Sequence, residues 1–279
     1  MKCSIPRIPI SLSSHPDESG ALTLMPMLSQ KPKRTPRPRG VTARALPPLA
    51  IVGANVEARL GGVTVTALPQ GALWVGEAKA LIVSDLHLEK GSSYALRGQM
   101  LPPYDTHATL MRLASLIDAH APEIVVSLGD SFHDGQGPAR LDARDRDLLQ
   151  SLIARCDWVW VEGNHDGRSP ETLGGAVRDV LHLGALVLRH EPTERAAAGE
   201  IAGHLHPYAR VSGRGRSVRR RCFAFDGERL VMPAFGAFTG GLNVRDKAFA
   251  PLFPDGVTAL VLGKERVLPA PYERLLGGG

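Results

Sequence analysis

The chain has 279 residues, 43% of them hydrophobic, with three cysteines and a formal charge of +5 at neutral pH. That length and apolar content can fill a core for one large domain or two small ones, and no apolar run approaches the ~18 residues of a membrane span. Three cysteines (Cys3, Cys156, Cys222) without CxxC spacing build no disulfide framework, which points to a reducing cytoplasm.

The charge is unevenly placed. Residues 1–50 carry eight Lys or Arg against Asp17 and Glu18, so the remainder is slightly acidic. Global basicity is therefore a property of the N-terminal stretch and gives no ground for assigning the rest to nucleic acid. Residues 1–48 also hold nine of the 22 prolines. Lys31–Gly40, KPKRTPRPRG, reads as a basic, extended tail. Disorder is the expectation for residues 1–48, with a nonspecific phosphate-binding arm as the functional alternative. It is a poor secretion signal, because Pro26 interrupts Ala21–Leu28. A single folded domain is expected over residues 49–279.

Within that domain, Val63–Ala67 and Leu73–Val75 read as a hairpin around Gln70-Gly71. Ala80–Ser84 is a buried strand that runs out into Asp85 and His87. Glu89–Pro103 predicts a 15-residue loop, long enough for a functional lid. Thr106–His120 has the helical period in Leu110, Leu113, Ala114 and Ile117, with Asp105 as cap and Pro122 as stop. Ile124–Leu128 is a second buried strand, ending at Gly129-Asp130. Leu141–Arg155 predicts a helix with Leu148, Leu149, Leu152 and Ile153 inward. Trp158–Val161 is the third strand and ends at Gly163-Asn164-His165-Asp166. Ala185–Leu188 leads into His190, and Glu200–Ala202 into Gly203-His204-Leu205-His206. From Arg219 the pattern turns to β, with Arg221–Phe225 and Leu230–Met232 about Asp226-Gly227. Val257–Leu262 and Arg266–Leu268 follow about Gly263-Lys264. This alternation predicts an α/β sandwich with mixed sheets. Ligands in such folds bind beyond the carboxyl ends of strands, where each of these polar clusters falls.

In an extended chain residues i and i+2 point the same way, so Asp85 and His87 are expected side by side. Asp85, His87, Asp130, Asn164, His190, His204 and His206 together offer imidazole nitrogen and carboxylate or amide oxygen, without thiolate. That mix suits Mn2+, Fe or Zn2+ better than Ca2+ or Mg2+. Seven such donors are too many for one ion and fit a pair ~3.5–4 Å apart. Gly129, Gly163 and Gly203 precede three of the clusters and permit close backbone approach. His15, His107, His120 and His182 lie outside the motifs and are expected to be ordinary core or surface histidines.

The order DLH, GD, GNHD, a lone His and GHLH, over Ala80–Pro207, resembles the calcineurin-like metallophosphoesterase superfamily. The resemblance implies an α/β/β/α sandwich. It implies Asp85, His87 and His206 on one metal, Asn164, His190 and His204 on a second, and Asp130 bridging. His165 would stand off the metals and face the substrate phosphate, oriented by His133 or Asp134, with Asp166 structural. In Gly129–Asp134, GDSFHD, His133 stands where many phosphatases of the superfamily carry an acid. That resembles the nuclease branch of double-strand-break repair. GHLHPY, an arginine-rich stretch, RCFAF and MPAFGAFTGGL resemble the ligase-associated DNA damage response endonuclease family. The activity implied is a phosphodiesterase or endonuclease on DNA. Two divalent cations, Mn2+ first, would activate hydroxide for attack on phosphorus. A DNA ligase and a helicase encoded nearby are the implied partners, and no membrane.

Tyr208–Cys222 carries Arg210, Arg214, Arg216, Arg219, Arg220 and Arg221 with no acid between them. Read as a loop that starts beside His206, it offers Arg210, Arg214, Arg216 and Arg220 to a DNA backbone, with a solvated loop as the alternative. Two other functions stay open: a hydrolase of small phosphoesters or nucleotides, and a DNA-binding accessory subunit with vestigial activity. The complete ligand set argues against the second.

Overall fold

Runs of β-branched, leucine and aromatic residues pair into two sheets. The first has eight strands in chain order: β1 (Ala50–Val52), β2 (Asn55–Leu60), β3 (Val63–Ala67), β4 (Leu73–Val75), β5 (Ala80–Ser84), β6 (Ile124–Leu128), β7 (Asp157–Val161) and β8 (Ala176–Arg178). β1 to β5 form an antiparallel meander, and β5 to β8 are parallel. The carboxyl ends of β5, β6 and β7 therefore emerge along one edge. β5, ALIVS, is buried along its whole length, as a continuous apolar run in a covered parallel sheet should be.

The second sheet holds β9 (Val180–Leu183), β10 (Leu186–Arg189), β11 (Glu200–Ala202), β12 (Tyr208–Gly213), β13 (Arg216–Phe225), β14 (Arg229–Val231), β15 (Thr258–Leu262), β16 (Val267–Pro271) and β17 (Leu275–Leu276). Its path is β16-β15-β13-β14-β11-β10-β9, with β12 on β13 and β17 on β12. β10, β11 and β14 run parallel, and the rest antiparallel. The described residues are 48–277 of this computed structural model, apart from 100, 103, 167–169, 195–197, 214 and 215. The expected disordered tail thus lies outside the described residues up to position 47, as does Arg214.

Three apolar layers hold the sheets. Ile82, Val126 and Val161 of the first meet Leu188, Ile201, Phe223 and Leu260 of the second. The other face of the first sheet, with Leu81, Val83, Val125 and Trp158, is covered by helices α2 (Asp105–His120) and α4 (Ala143–Ile153). Each fully buried Leu or Phe contributes ~1.5–3 kcal/mol. The outer face of the second sheet packs Ala224, Val231 and Ala259 against Val244, Phe249, Leu252 and Phe253. Residues 243–257 make that fourth layer from turns, not helix; Pro251, Pro254 and Gly256 deny the segment a helical run.

Several local expectations are corrected. Glu89–Pro103 is not all loop: Lys90–Leu96 forms helix α1. Asp105 is the first residue of α2, not its cap, and its carboxylate accepts from Gly91 N at 3.0 Å. The Leu141–Arg155 helix starts at Ala143, where Asp142 caps it by accepting from Asp145 N at 2.8 Å. A separate turn of helix, α3 (Gly137–Arg140), precedes it. The arginine-rich stretch is a hairpin, β12 paired with β13 from Tyr208↔Arg221 to Gly213↔Arg216. No helix among the described residues is long and apolar enough to cross a membrane.

Candidate metal centre

Five of the seven candidate ligands leave their strands in a left-handed conformation: Asp85 (φ 53°), His87 (43°), Asp130 (46°), His204 (67°) and His206 (46°). The extended Asp85–His87 pair expected from the sequence is corrected by this. A non-glycine residue there costs ~1–2 kcal/mol, so five together mark a site the fold holds against its own backbone preference. What holds them is lacing between loops. Asp85 N donates to Gly129 O at 3.2 Å, and His87 N to Asp130 O at 2.9 Å. His165 N donates to Asp130 Oδ1 at 2.9 Å, and His204 N to Asp85 Oδ2 at 3.1 Å. Ser84 Oγ donates to Asp85 Oδ2 at 2.5 Å. The approach is close enough that a Cβ on Gly163 would overlap the Asp130 backbone, and one on Gly203 would overlap Ser84 Oγ.

The side chains form two overlapping sets of donors. Asp85, His87, Asp130 and His206 bring one ligand atom each within 4.8 Å of one another, and so do Asp130, His190 and His204. Asp130 belongs to both. His206 Nε2 is 3.0 Å from Asp85 Oδ1. His87 Nε2 faces His206 Nε2 at 3.2 Å, and His204 Nδ1 faces His190 Nε2 at 3.3 Å. Asp85, His87, Asp130 and His190 are buried. Burial pushes the Asp85 carboxyl up, but the nearby His206 and His190 and the Ser84 hydroxyl outweigh it and keep it ionised. Burial holds His87 down at about 3, and pulls His204 down too, with the neighbouring His190 adding to it. Imidazole nitrogens facing one another at 3.2 and 3.3 Å, beside an ionised Asp85, are the donors divalent cations require. The residues fit such a group.

Asn164 sits at the edge of the second set. Its amide donates to Glu191 Oε1 at 2.5 Å, and that oxygen lies 3.8 Å from His204 Nε2. Glu191 was not singled out from the sequence. Its signal is its place directly after His190.

His165 is exposed, its side chain 55% accessible, with Nε2 3.9 Å from Asp130 Oδ2. Its ring stacks on His133 at 6.0 Å and 9°. Tyr94 of α1 packs on the His133 ring at 5.5 Å, and Lys90 lies 5.8 Å over Tyr94. Burial, then the charges of Lys90 and His165, pull His133 down. Asp134 gives both carboxylate oxygens to Arg140, at 2.8 and 2.9 Å. Burial pushes its carboxyl up, yet Arg140 outweighs that and holds it at about 2. His133, not Asp134, is thus the residue whose ring meets His165. Asp166 is a staple: Oδ2 accepts from Gly163 N at 2.9 Å and Oδ1 from Phe132 N at 3.1 Å. Of the histidines outside the motifs, His107 pairs with Asp145 at 2.7 Å and His120 packs on Trp74 at 5.1 Å.

The arginines do not share one face. In the β12–β13 register Arg210 and Arg219 fall on one side, and Arg216 and Arg220 on the other. Arg210 Nε bonds Ser217 Oγ at 3.2 Å, Arg219 lies 3.8 Å over the Tyr208 ring, and Arg216 and Arg220 are exposed. Arg221 turns inward, and its Nη1 donates to the carbonyls of Ala234 (2.8 Å), Phe235 and Gly236.

Comparison with known proteins agrees with this geometry. The calcineurin-like phosphoesterase family profile matches residues 78–218, which span both donor sets. A crystal structure of the Pseudomonas putida nuclease MPE is 30% identical, covers 77% of this chain and all of that one, and superposes with a TM-score of 0.61. The E. coli phosphoesterase Yfce is 15% identical over 69% of this chain and 98% of its own, with a TM-score of 0.36. The Arabidopsis thaliana probable inactive purple acid phosphatase 29 is 24% identical over 166 residues, which are 57% of this chain and 42% of that protein. A matching family profile over half the chain, laid on a laced Asp/His centre at the carboxyl ends of parallel strands, decides the assignment: the chain belongs to the calcineurin-like phosphoesterase family, whose members are metal-dependent hydrolases of phosphoesters.

Proposed function

We propose that the protein is a dinuclear phosphodiesterase acting as a nuclease on DNA, in a repair context and in the cytoplasm. The observation that carries this is the stacked His133–His165 pair beside the shared Asp130. Neither ring carries the fixed negative charge of a carboxylate, which would repel a phosphoester anion at this position. The likeness to a nuclease of known structure supports it.

In this reading Asp85, His87, His206 and Asp130 hold one cation, and Asp130, Asn164, His190 and His204 hold the other, with Mn2+ the first candidate and Fe or Zn2+ next. Bound cations supply Lewis acidity toward the phosphoryl group and toward water. His165 donates to a phosphoryl oxygen or protonates the leaving oxygen, and its exposure leaves its ring open to substrate. His133 keeps that ring oriented through the stack, and Tyr94 backs His133. Arg216 and Arg220, exposed on one face of the hairpin, contact DNA phosphates with Arg214. Arg210 contributes from the other face. The basic residues 1–48 add nonspecific attraction for phosphates, residues 49–279 are the domain, and a DNA ligase and a helicase are the functional partners.

The test is hydrolysis of a small diester, a monoester, and single- and double-stranded DNA by Mn2+-loaded protein. Diester and DNA cleavage should dominate, and His165→Ala should keep its metal while turnover falls ~10²–10⁴-fold. Arg216→Ala with Arg220→Ala should spare the small diester and flatten the salt dependence of DNA binding by ~0.7–0.9 in log–log slope per lost contact. A preference for the monoester, or DNA binding with unaltered salt slope, would sink the nuclease reading.

A further inference from the structure

Away from both donor sets, a cavity of about 630 Å³ opens between the β3–β4 turn, the end of α2, β13 and the β15–β16 turn. Arg112, Arg221, Lys264, His120, Gln70 and Asn55 line it. Its volume lies in the ~300–1,000 Å³ range of small-ligand sites. Three cations face one acid there, Glu265.

The two arginines are the unusual part. They come from different elements, yet both reach the Phe235 carbonyl, and their charges are close enough to repel. Among the described residues neither has a carboxylate partner. Arg112 Nη2 donates to Phe235 O and its guanidinium lies 4.3 Å over the Phe235 ring, while its Nε is buried with no partner. Arg221 uses only Nη1. Burial and the like charge of Arg221 bring Arg112 down to about 10, so it stays charged at neutral pH. Two half-buried guanidiniums without a counter-charge are costly alone. Their planar forks match an oxyanion with tetrahedral oxygens. Lys264, exposed on the turn at the rim, adds attraction without holding the fold, and Gln70 and Asn55 add neutral donors.

We propose that this cavity is a second anion site, separate from the metal centre, that binds the phosphate group of a small molecule through Arg112, Arg221 and Lys264. Inorganic phosphate and a nucleoside monophosphate share that chemistry. The cations gather around one cleft and are not strung along a face, which favours a single phosphate group over a duplex backbone.

The probes are inorganic phosphate and adenosine monophosphate, titrated calorimetrically into metal-loaded full-length protein. Wild type should show two classes of site, one at the metal centre and one here. Lys264→Glu should weaken one class about tenfold, as loss of a charged contact does, and leave small-diester hydrolysis unchanged. Arg112→Gln should abolish the same class, with circular dichroism confirming its fold. Tighter binding of the nucleotide than of phosphate would identify a nucleotide as the ligand, and equal binding would identify free phosphate. A single class of site overturns the proposal. So do two classes that neither variant alters, or a site that only duplex DNA occupies.

Discussion

Two of the buried charged clusters are treated oppositely by the fold. At Glu200 and Arg229 the carboxylate is satisfied on both oxygens. Oε2 accepts from Arg229 Nε at 2.6 Å, and Oε1 accepts from Thr193 N (3.1 Å) and Oγ1 (2.7 Å). Arg229 goes on to the Leu252 and Thr193 carbonyls, and both residues lie in regular strands. At the metal centre Asp85 Oδ1 accepts no aligned hydrogen bond although His206 Nε2 lies 3.0 Å away, imidazole nitrogens face one another, and the backbone is left-handed at five ligands. A buried carboxylate satisfied on both oxygens in regular strands is structural; a cluster of donors facing one another on strained backbone is waiting for something. Burial alone does not separate the two.

The contrast is broken most strongly at Asp130. Asp130→Ala removes the one oxygen donor common to both sets, so bound metal should drop and diester hydrolysis should fall below ~1% of wild type. Metal content by mass spectrometry, measured alongside rate, checks it. Full turnover with one ion or none bound would contradict a shared carboxylate. Arg229→Met attacks the other cluster. It removes the cation bonded to the buried Glu200 carboxylate and leaves only Arg189, 3.6 Å from Oε1, so stability should fall by up to ~3–5 kcal/mol, while the fraction still folded keeps its metal and its rate. Urea unfolding measures this, and adding Glu200→Leu should restore most of the loss.

The smallest effect is the most diagnostic. In metal-free protein His206→Gly should be more stable than His206→Ala by ~1 kcal/mol, because glycine accepts φ near 46° and alanine does not. In β11 the sign reverses, and Ala202→Gly should destabilise by ~0.5–1 kcal/mol. If both positions respond alike, strain does not distinguish the two clusters.

Much of this was legible in the sequence, for a physical reason. β5, β6 and β7 are buried on both faces, so they stand out as apolar runs, and the polar residues that end them are conspicuous. What was hidden depends on tertiary contact. α1, KGSSYAL, lacks an apolar stripe and is held instead by the Asp105 carboxylate and the His133 ring. The left-handed ligands read as extended, because only the neighbouring loop imposes their φ. Glu191 is one acid among many until the fold brings it to His204 and Asn164. The arginines read as one patch in the chain, but strand alternation divides them and turns Arg221 inward. The turn-built fourth layer has apolar residues in no regular period, so only the sheet beneath gives them order.

The lacing of the loops also bears on how the molecule breathes. The amides of Asp85, His87, His165 and His204 each donate into a neighbouring loop, and Gly163 and Gly203 leave no slack between those loops. No one loop can open without releasing the acceptor of another. These four amides should therefore exchange with solvent deuterium as one cooperative unit, and the pocket of donors should exist whole or not at all.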